Sequence, residues 1–150
     1  MPAQKSMRSI KVYAWEGYTG PGVLEEIAAF VTSVGVVWSL NEDVLFHLQM
    51  AIGEASANSW EHSYQKGKGR LRLEMERHRG VLEVRVIDWG KPFDLGETPA
   101  PRIGPDLDRV DLEGLGIFLM RKMVDEMTYR SDARSGNVLT LKKRLPVKRD

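Results

Sequence analysis

The sequence predicts an α+β fold in which helices cover one face of a mostly antiparallel β-sheet. Three observations support this prediction. Runs of alternating apolar and polar residues occur along the chain, two of them are joined by only Arg79 and Gly80, and two long segments carry apolar residues at helical spacing. A chain of 150 residues can bury its own core, so we predict that residues 1–150 form a single domain.

The composition excludes several kinds of protein. Lys and Arg number 22 against 21 Asp and Glu, so the chain lacks the basic excess of a general nucleic-acid binder. Cysteine is absent, which rules out disulfides and thiolate metal sites. No apolar run approaches the roughly 20 residues that a membrane helix needs, and the first residues lack the apolar segment of a signal peptide. We therefore expect a cytoplasmic protein that binds neither a membrane nor nucleic acid directly.

The first half of the chain predicts a strand followed by two helices. The run RSIKVYAW alternates as a strand does and ends near the turn-like segment EGYTGPG. Residues 23–34 repeat apolar residues with a helical period. The longest helical pattern then runs over residues 39–65, where Asn41 or Ser39 could cap the helix and acidic residues fall in its first turn.

The second half predicts a hairpin, a long loop, a helix and a closing strand. RLRLEMERH and VLEVRVIDWG alternate and are separated by a two-residue link, which is typical of a β-hairpin. Residues 91–111 are rich in Pro, Gly and Asp, and a loop of this length is usually functional or disordered. A helix is predicted over residues 113–130, with Met120, Met123 and Met127 in the core, and NVLTLKKRL closes the fold as a strand.

Glu54 and Asn58 lie one turn apart on the longest predicted helix, so their side chains share a face. An Asn oxygen can bind Mg²⁺, which takes few protein ligands and completes its shell with phosphates and water. A Glu one turn earlier could accept a proton from an attacking hydroxyl. The alternative is a solvated polar stripe on an amphipathic helix, and from this helix alone the stripe is the simpler explanation.

Two further segments could carry chemistry. In VIDWGKPFD an apolar strand ends on Asp88, whose carboxylate could select an exocyclic amine such as that of adenine, and Gly90 allows close backbone approach. In DLEGLGIFLMRKMVD, Gly114 and Gly116 open a helix whose free amides could bind phosphate. A turn and simple helix packing are the respective alternatives. Neither a dinucleotide-binding fingerprint nor a P-loop is present.

Taken in order, these segments resemble the anti-sigma factor serine kinases. That family is a branch of the Bergerat-fold ATP-binding superfamily, which also includes histidine kinases, gyrase and the Hsp90 chaperones. AIGEASANSWEHSY resembles the N-box, DWGKPFD the first glycine box, EGLGIFLMRKMVDEMTY the second, and GNVLTLKKRL the strand that follows. The resemblance covers roughly residues 23–145. It implies a two-layer α/β sandwich of the Bergerat, histidine-kinase-like ATPase type.

The resemblance also implies a role for each motif residue. Glu54 would be the catalytic base, Asn58 would bind Mg²⁺, and Asp88 would bind the adenine amine. The loop between residues 94 and 113 would be a short ATP lid. The residues expected to bind ATP are Asn58, Asp88, Gly90, Gly114, Gly116 and Thr140.

Two positions depart from the pattern of the superfamily. Pro92 replaces the second glycine of the first box, which favours the kinase branch over gyrase-like relatives. Leu112 stands where the second box would begin with glycine, so one of the glycines expected beside the phosphates is missing.

The function implied by the resemblance is that of an ATP- and Mg²⁺-dependent protein serine/threonine kinase that acts as an anti-sigma factor. Its expected partners are a STAS-type anti-sigma-factor antagonist, which it would phosphorylate, and a sigma factor, which it would bind in a partner switch. A homodimer is a further expectation. The alternative is a nucleotide-binding regulatory module that sequesters a protein without phosphorylating it. Glu54 favours the kinase, and the glycine missing at Leu112 favours the module.

Overall fold

The computed structural model describes residues 10–92 and 112–146. They form strand β1 (Val12–Tyr18), helices α1 (Val23–Val37) and α2 (Glu42–Asn58), a π-helical turn (Ser59–Ser63), strands β2 (Arg70–His78) and β3 (Val81–Asp88), helix α3 (Leu112–Met123), and strands β4 (Glu126–Asp132) and β5 (Gly136–Arg144). The strands form one sheet in the order β1-β2-β3-β5-β4, and every neighbouring pair is antiparallel. The predicted α+β fold is confirmed.

Local sequence explains where helix α2 begins and where the β2–β3 hairpin turns. The Asn41 side-chain oxygen accepts a hydrogen bond from the Val44 amide at 2.8 Å, which caps α2 as predicted. The β2–β3 hairpin turns at Arg79 and Gly80, also as predicted. Gly80 has φ of 69°, a left-handed conformation that glycine adopts without steric cost.

The core lies between the helices and one face of the sheet. Leu71, Leu73 and Met75 of β2 and Leu82, Val84 and Val86 of β3 alternate onto this face and are buried. Helix α2 contributes Leu48 and Ile52, each at most 1% exposed. Because the inner side of α2 lies in the core, burial of a polar side chain there costs free energy unless a partner inside the domain compensates it.

The opposite face of the sheet is charged. Arg85 of β3 forms ion pairs with the carboxylates of Glu74, Glu76 and Glu83, and its Nε lies 2.8 Å from Glu74. On the outer face, the acidic side chains of β2 and β3 are therefore paired with a basic side chain of the same two strands. Asp88 is a buried carboxylate on the opposite, helical face, and it forms no ion pair with another described residue. Its burial therefore requires a different explanation.

Two predicted helices end earlier than expected. The helix predicted over residues 113–130 ends at Met123, and residues 126–132 form strand β4, which was not predicted. Met127 and Tyr129 alternate on β4 and pack against the core, so the tertiary contact overrides a helical spacing that continued from Met120. The long helix stops at Asn58 and continues as the π-helical turn.

Among residues 10–92 and 112–146, no helix combines the length and the hydropathy that a membrane crossing requires. The predicted ATP lid lies almost entirely outside the described residues.

Candidate functional site

Asp88 is a buried carboxylate at the end of β3. It is 5% exposed and lies on the helical face of the sheet. Three hydrogen bonds compensate its burial. The Ser59 hydroxyl donates to Oδ2 at 2.7 Å, and the Gly90 amide and the Asn137 side chain donate to Oδ1 at 3.1 and 2.7 Å.

A cavity of about 30 Å³ lies between α2 and the sheet beside this carboxylate. It has room for roughly one water molecule, so a purine base can enter only if the lining side chains move apart. The lining combines apolar side chains with a few polar groups, as in most small-molecule sites. Its residues are Ala55, Asn58, Ser59, Ser63, Val86, Asp88, Met120, Tyr129, Asn137 and Leu139.

The hydrogen bonds leave Asp88 able to accept one more donor. Each oxygen of a carboxylate offers about two acceptor positions. In the hydrogen bonds among the described residues, Oδ1 uses both, with Gly90 and Asn137, whereas Oδ2 uses one, with Ser59. Since Asp88 lines the cavity, an amine that enters it can donate to the remaining position on Oδ2.

Glu54, Asn58 and Gly116 meet where α2 packs against α3. A Cβ atom added to Gly116 would lie 2.8 Å from Glu54 Oε2 and 4.0 Å from Asn58 Oδ1. Glycine therefore allows the backbone of α3 to approach the Glu54 carboxylate. In the described part of the chain, the side chains of Glu54 and Asn58 make no hydrogen bond or ion pair, so both remain available to a ligand.

The π-helical turn after α2 lies against the chain that leaves β3. The Ser63 carbonyl oxygen accepts a hydrogen bond from the Lys91 amide at 2.8 Å. A Cβ atom on Gly90 would lie 2.6 Å from the Ser63 carbonyl carbon, so this position accommodates only glycine without movement of backbone. Such turns, which add one residue to a helix, occur frequently at functional sites.

Tyr64 makes a second contact with the chain that leaves β3. Its hydroxyl accepts a hydrogen bond from the Trp89 amide at 2.8 Å and donates one to the Arg70 carbonyl oxygen at 2.6 Å. Burial raises the pKa of Tyr64, and the nearby Asp88 charge acts in the same direction. The phenol therefore stays protonated at neutral pH and continues to donate.

The structure places most of the residues predicted from the sequence in one region. Glu54 and Asn58 lie beside Gly116, and Asn58 lines the same cavity as Asp88. Gly114 lies in the first turn of α3. These elements are far apart in the sequence, and the packing of α2 on α3 and on the sheet brings them together.

Thr140 is the exception, because the structure does not bring its side chain to the site. Thr140 pairs with Arg85 across the β3–β5 ladder. Side chains alternate along a strand, so Thr140 points to the charged outer face, whereas Leu139 and Leu141 point to the core.

Asn137 and Ser59 were not predicted as site residues, yet both hydrogen-bond to Asp88. A signal for Asn137 exists in the closing strand. Positions 137, 139 and 141 share the buried face, and an Asn among two leucines at such positions indicates a buried polar partner. Ser59 carries no comparable signal, because it follows α2 in a turn whose geometry the composition does not reveal.

An antiparallel sheet covered on one face by helices, with a Glu–Asn pair beside a buried strand-end carboxylate, is the arrangement of a class of ATPase domains. A family model described as the histidine kinase-like ATPase domain matches residues 20–143, and the chain belongs to this family.

The chain is also similar to curated proteins named serine-protein kinase RsbW. It is 36% identical over 100 residues to that of Listeria innocua, with 62% of each chain covered. It is 30% identical over 95 residues to that of Bacillus subtilis, with 59% of each chain covered. The match thus spans less than two thirds of the length of these relatives. The resemblance to this kinase family is confirmed.

A solved structure shares the fold. The crystal structure of the RsbU and RsbW domains of a Mycobacterium tuberculosis protein has a TM-score of 0.60 to this chain. The match covers 87% of this chain and 32% of that one at 17% identity.

Proposed function

We propose that the chain is an ATP-dependent protein serine/threonine kinase of the anti-sigma factor type. It would act in the cytoplasm, phosphorylate a STAS-type anti-sigma-factor antagonist and bind a sigma factor, so that phosphorylation decides which partner is held. Membership in the ATPase domain family and similarity to serine-protein kinases support this proposal. The observation that carries it is the position of Glu54, whose carboxylate lies beside Gly116 and one turn from Asn58, with no competing hydrogen bond from the described residues.

The proposed reaction moves the γ-phosphoryl group of ATP to a serine or threonine hydroxyl. A bond forms between the hydroxyl oxygen and the γ-phosphorus, while the bond from that phosphorus to the β–γ bridging oxygen breaks and ADP leaves. Glu54 would take the hydroxyl proton. The Gly116 backbone beside the carboxylate restricts where that proton acceptor can lie, which favours one orientation of the attacking hydroxyl.

Asn58 fits the role of a Mg²⁺ ligand. Its side chain lines the cavity and makes no hydrogen bond to another described residue. An amide oxygen is a hard donor, and Mg²⁺ uses one or two protein oxygens together with phosphate and water. Mg²⁺ bound there would neutralise charge on the phosphates.

A transfer assay tests the proposed function. The purified chain is incubated with γ-labelled ATP, Mg²⁺ and a STAS-type antagonist protein, and label on a serine or threonine of the antagonist is measured. Transfer of label supports the kinase. Nucleotide binding together with capture of the antagonist, but without label, would instead establish the sequestering module.

Asp88 is expected to select adenine over guanine nucleotides. Its free acceptor on Oδ2 suits the exocyclic amine of adenine and repels the carbonyl oxygen of guanine. ATP should therefore bind about 10-fold or more tightly than GTP, and Asp88→Asn should weaken ATP binding while the fold remains intact. Calorimetry with both nucleotides measures the preference, and circular dichroism checks the fold of the variant. Equal affinities for ATP and GTP would contradict this role of Asp88.

Gly116→Ala should lower phosphotransfer without lowering stability. The added Cβ would lie 2.8 Å from Glu54 Oε2, so the carboxylate must move, and a flexible side chain can do so at little cost. Alanine also favours a helix over glycine by about 1 kcal/mol. We expect an unchanged or higher melting temperature and a transfer rate lowered by about 10-fold.

Gly53→Ala is the matched control for this variant. Gly53 lies next to Glu54 on α2, and a Cβ there would meet nothing within 4 Å. The control should keep the full transfer rate. If Gly116→Ala keeps it as well, the close approach of α3 does not set the position of Glu54.

A further inference from the structure

Asn137 is a buried amide that faces Asp88 across the β3–β5 ladder. The two residues are direct partners in the strand register, and Asn137 is 4% exposed. Its Nδ2 donates to Asp88 Oδ1 at 2.7 Å and to the Gly90 carbonyl oxygen at 2.9 Å. Its Oδ1 accepts a hydrogen bond from the Ser131 hydroxyl at 2.7 Å. Both amide hydrogens and the amide oxygen are thus engaged.

These bonds determine which part of the Asp88 carboxylate is free. The Asn137 and Gly90 donors occupy Oδ1, and Ser59 occupies half of Oδ2. A carboxylate that could rotate would offer several acceptor positions to water or to different ligands. Held from two sides, it offers one position in one direction.

We propose that Asn137 is a specificity-determining positioning residue, which holds Asp88 so that its one free acceptor is directed at the 6-amino group of a purine base. This inference rests on the proposed adenine-nucleotide site and extends it to a residue that does not itself need to contact the base. The Ser131 hydroxyl supports the same arrangement, because it orients the Asn137 amide with its NH₂ group toward Asp88.

The position of Asn137 between two cavities strengthens the inference. It lines the cavity of about 30 Å³ beside Asp88 and also a second cavity of about 270 Å³, whose lining includes Trp89 and Gly136. Removal of the side chain would enlarge the space beside Asp88 Oδ1, where water could take the place of the Asn137 donor. Water would then supply hydrogen bonds without fixing the direction of the carboxylate.

A comparison of two ligands tests the role. ADP carries the 6-amino group, and purine riboside 5′-diphosphate lacks it but is otherwise the same. Calorimetry measures the affinity of each for the wild-type chain, for Asn137→Ala and for Ser131→Ala. Thr128→Ala serves as the control, because Thr128 is an exposed residue on β4.

The expected result is a loss of affinity that depends on the 6-amino group of the ligand. Asn137→Ala should lower the affinity for ADP by about 10-fold and the affinity for purine riboside diphosphate by less than about twofold. Only ADP has the amine that donates to the free acceptor on Asp88 Oδ2. Ser131→Ala should show the same pattern with a smaller effect, and Thr128→Ala should change neither affinity. If Asn137→Ala does not fold in a thermal melt, Ser131→Ala, which removes the hydrogen bond that orients the Asn137 amide, decides the same comparison.

Each other outcome identifies what has failed. Equal losses for both ligands would show a purely structural role and overturn the inference, while the nucleotide site would stand. A wild-type chain that binds both ligands equally would show that Asp88 does not recognise the amine. A wild-type chain that binds neither ligand would overturn the proposed function as well.

Discussion

Glu54→Gln is expected to lower phosphotransfer by about 10²-fold or more, the usual range for loss of a general base. Glutamine keeps the size of the side chain and its capacity for hydrogen bonds, but it cannot take a proton from the attacking hydroxyl. Nucleotide affinity should stay within about twofold of wild type, because Asp88 and Asn58 are unchanged. Single-turnover transfer of γ-phosphate and calorimetry with ATP measure the two quantities separately.

Glu61→Gln is the matched control for this change. Glu61 is exposed on the π-helical turn just after α2, so the same chemical change there alters a solvated carboxylate. It should leave transfer unchanged. A Glu54→Gln chain that phosphorylates its partner at the normal rate would show that Glu54 is not the base, even if ATP binding is intact. If the partner remains bound to this variant, Glu54→Gln provides a form locked in the sequestering state.

Gly90→Ala is expected to destabilise the domain by about 1–3 kcal/mol, the range for forcing extra volume into a packed site. The new Cβ would lie 2.6 Å from the Ser63 carbonyl carbon and 2.9 Å from Ser63 Cβ, so backbone must move on one side. That movement would also disturb the Gly90 amide, which donates to Asp88. ATP affinity should therefore fall together with stability.

Urea unfolding and calorimetry measure the two effects of Gly90→Ala. Gly53→Ala again provides a glycine with open space around it, and its stability should not fall. Gly90→Ala with wild-type stability would mean that the contact with the π-helical turn relaxes without cost. Loss of stability with unchanged ATP affinity would separate the packing of Gly90 from the orientation of Asp88.

The sequence predicts well those features that repeat with a local period. The β2–β3 hairpin, the Asn41 cap and the buried stripe of α2 follow from alternation, a capping residue and helical spacing. Strand β4 was missed because Met120, Met123 and Met127 also fit a helix, and only their packing decides where the helix ends. The π-helical turn was missed because it lies at the end of α2, where no further helical residues follow to reveal a shift in the periodicity.

In the site, too, the sequence predicts local spacing but not the packing of elements that are distant in the chain. The spacing of Glu54 and Asn58 places them on one face, but only the packing of α3 shows that this face meets Gly116 rather than solvent. Thr140 and Asn137 lie on the same strand, and the sequence resemblance drew attention to the first. The register with Asp88 identifies the second, and register is a property of two strands that neither sequence segment contains alone.

The contact between Gly90 and Ser63 also makes the residue at position 90 depend on a segment that is distant in the sequence. The π-helical turn brings the Ser63 carbonyl against the chain beyond β3, and this carbonyl is what restricts position 90 to glycine. Loss of the additional residue in the turn would rotate that carbonyl away and release the restriction. The residues that fit at position 90 therefore depend on the length of the π-helical turn. In evolutionary terms, we expect the glycine at position 90 to be retained wherever the turn is retained.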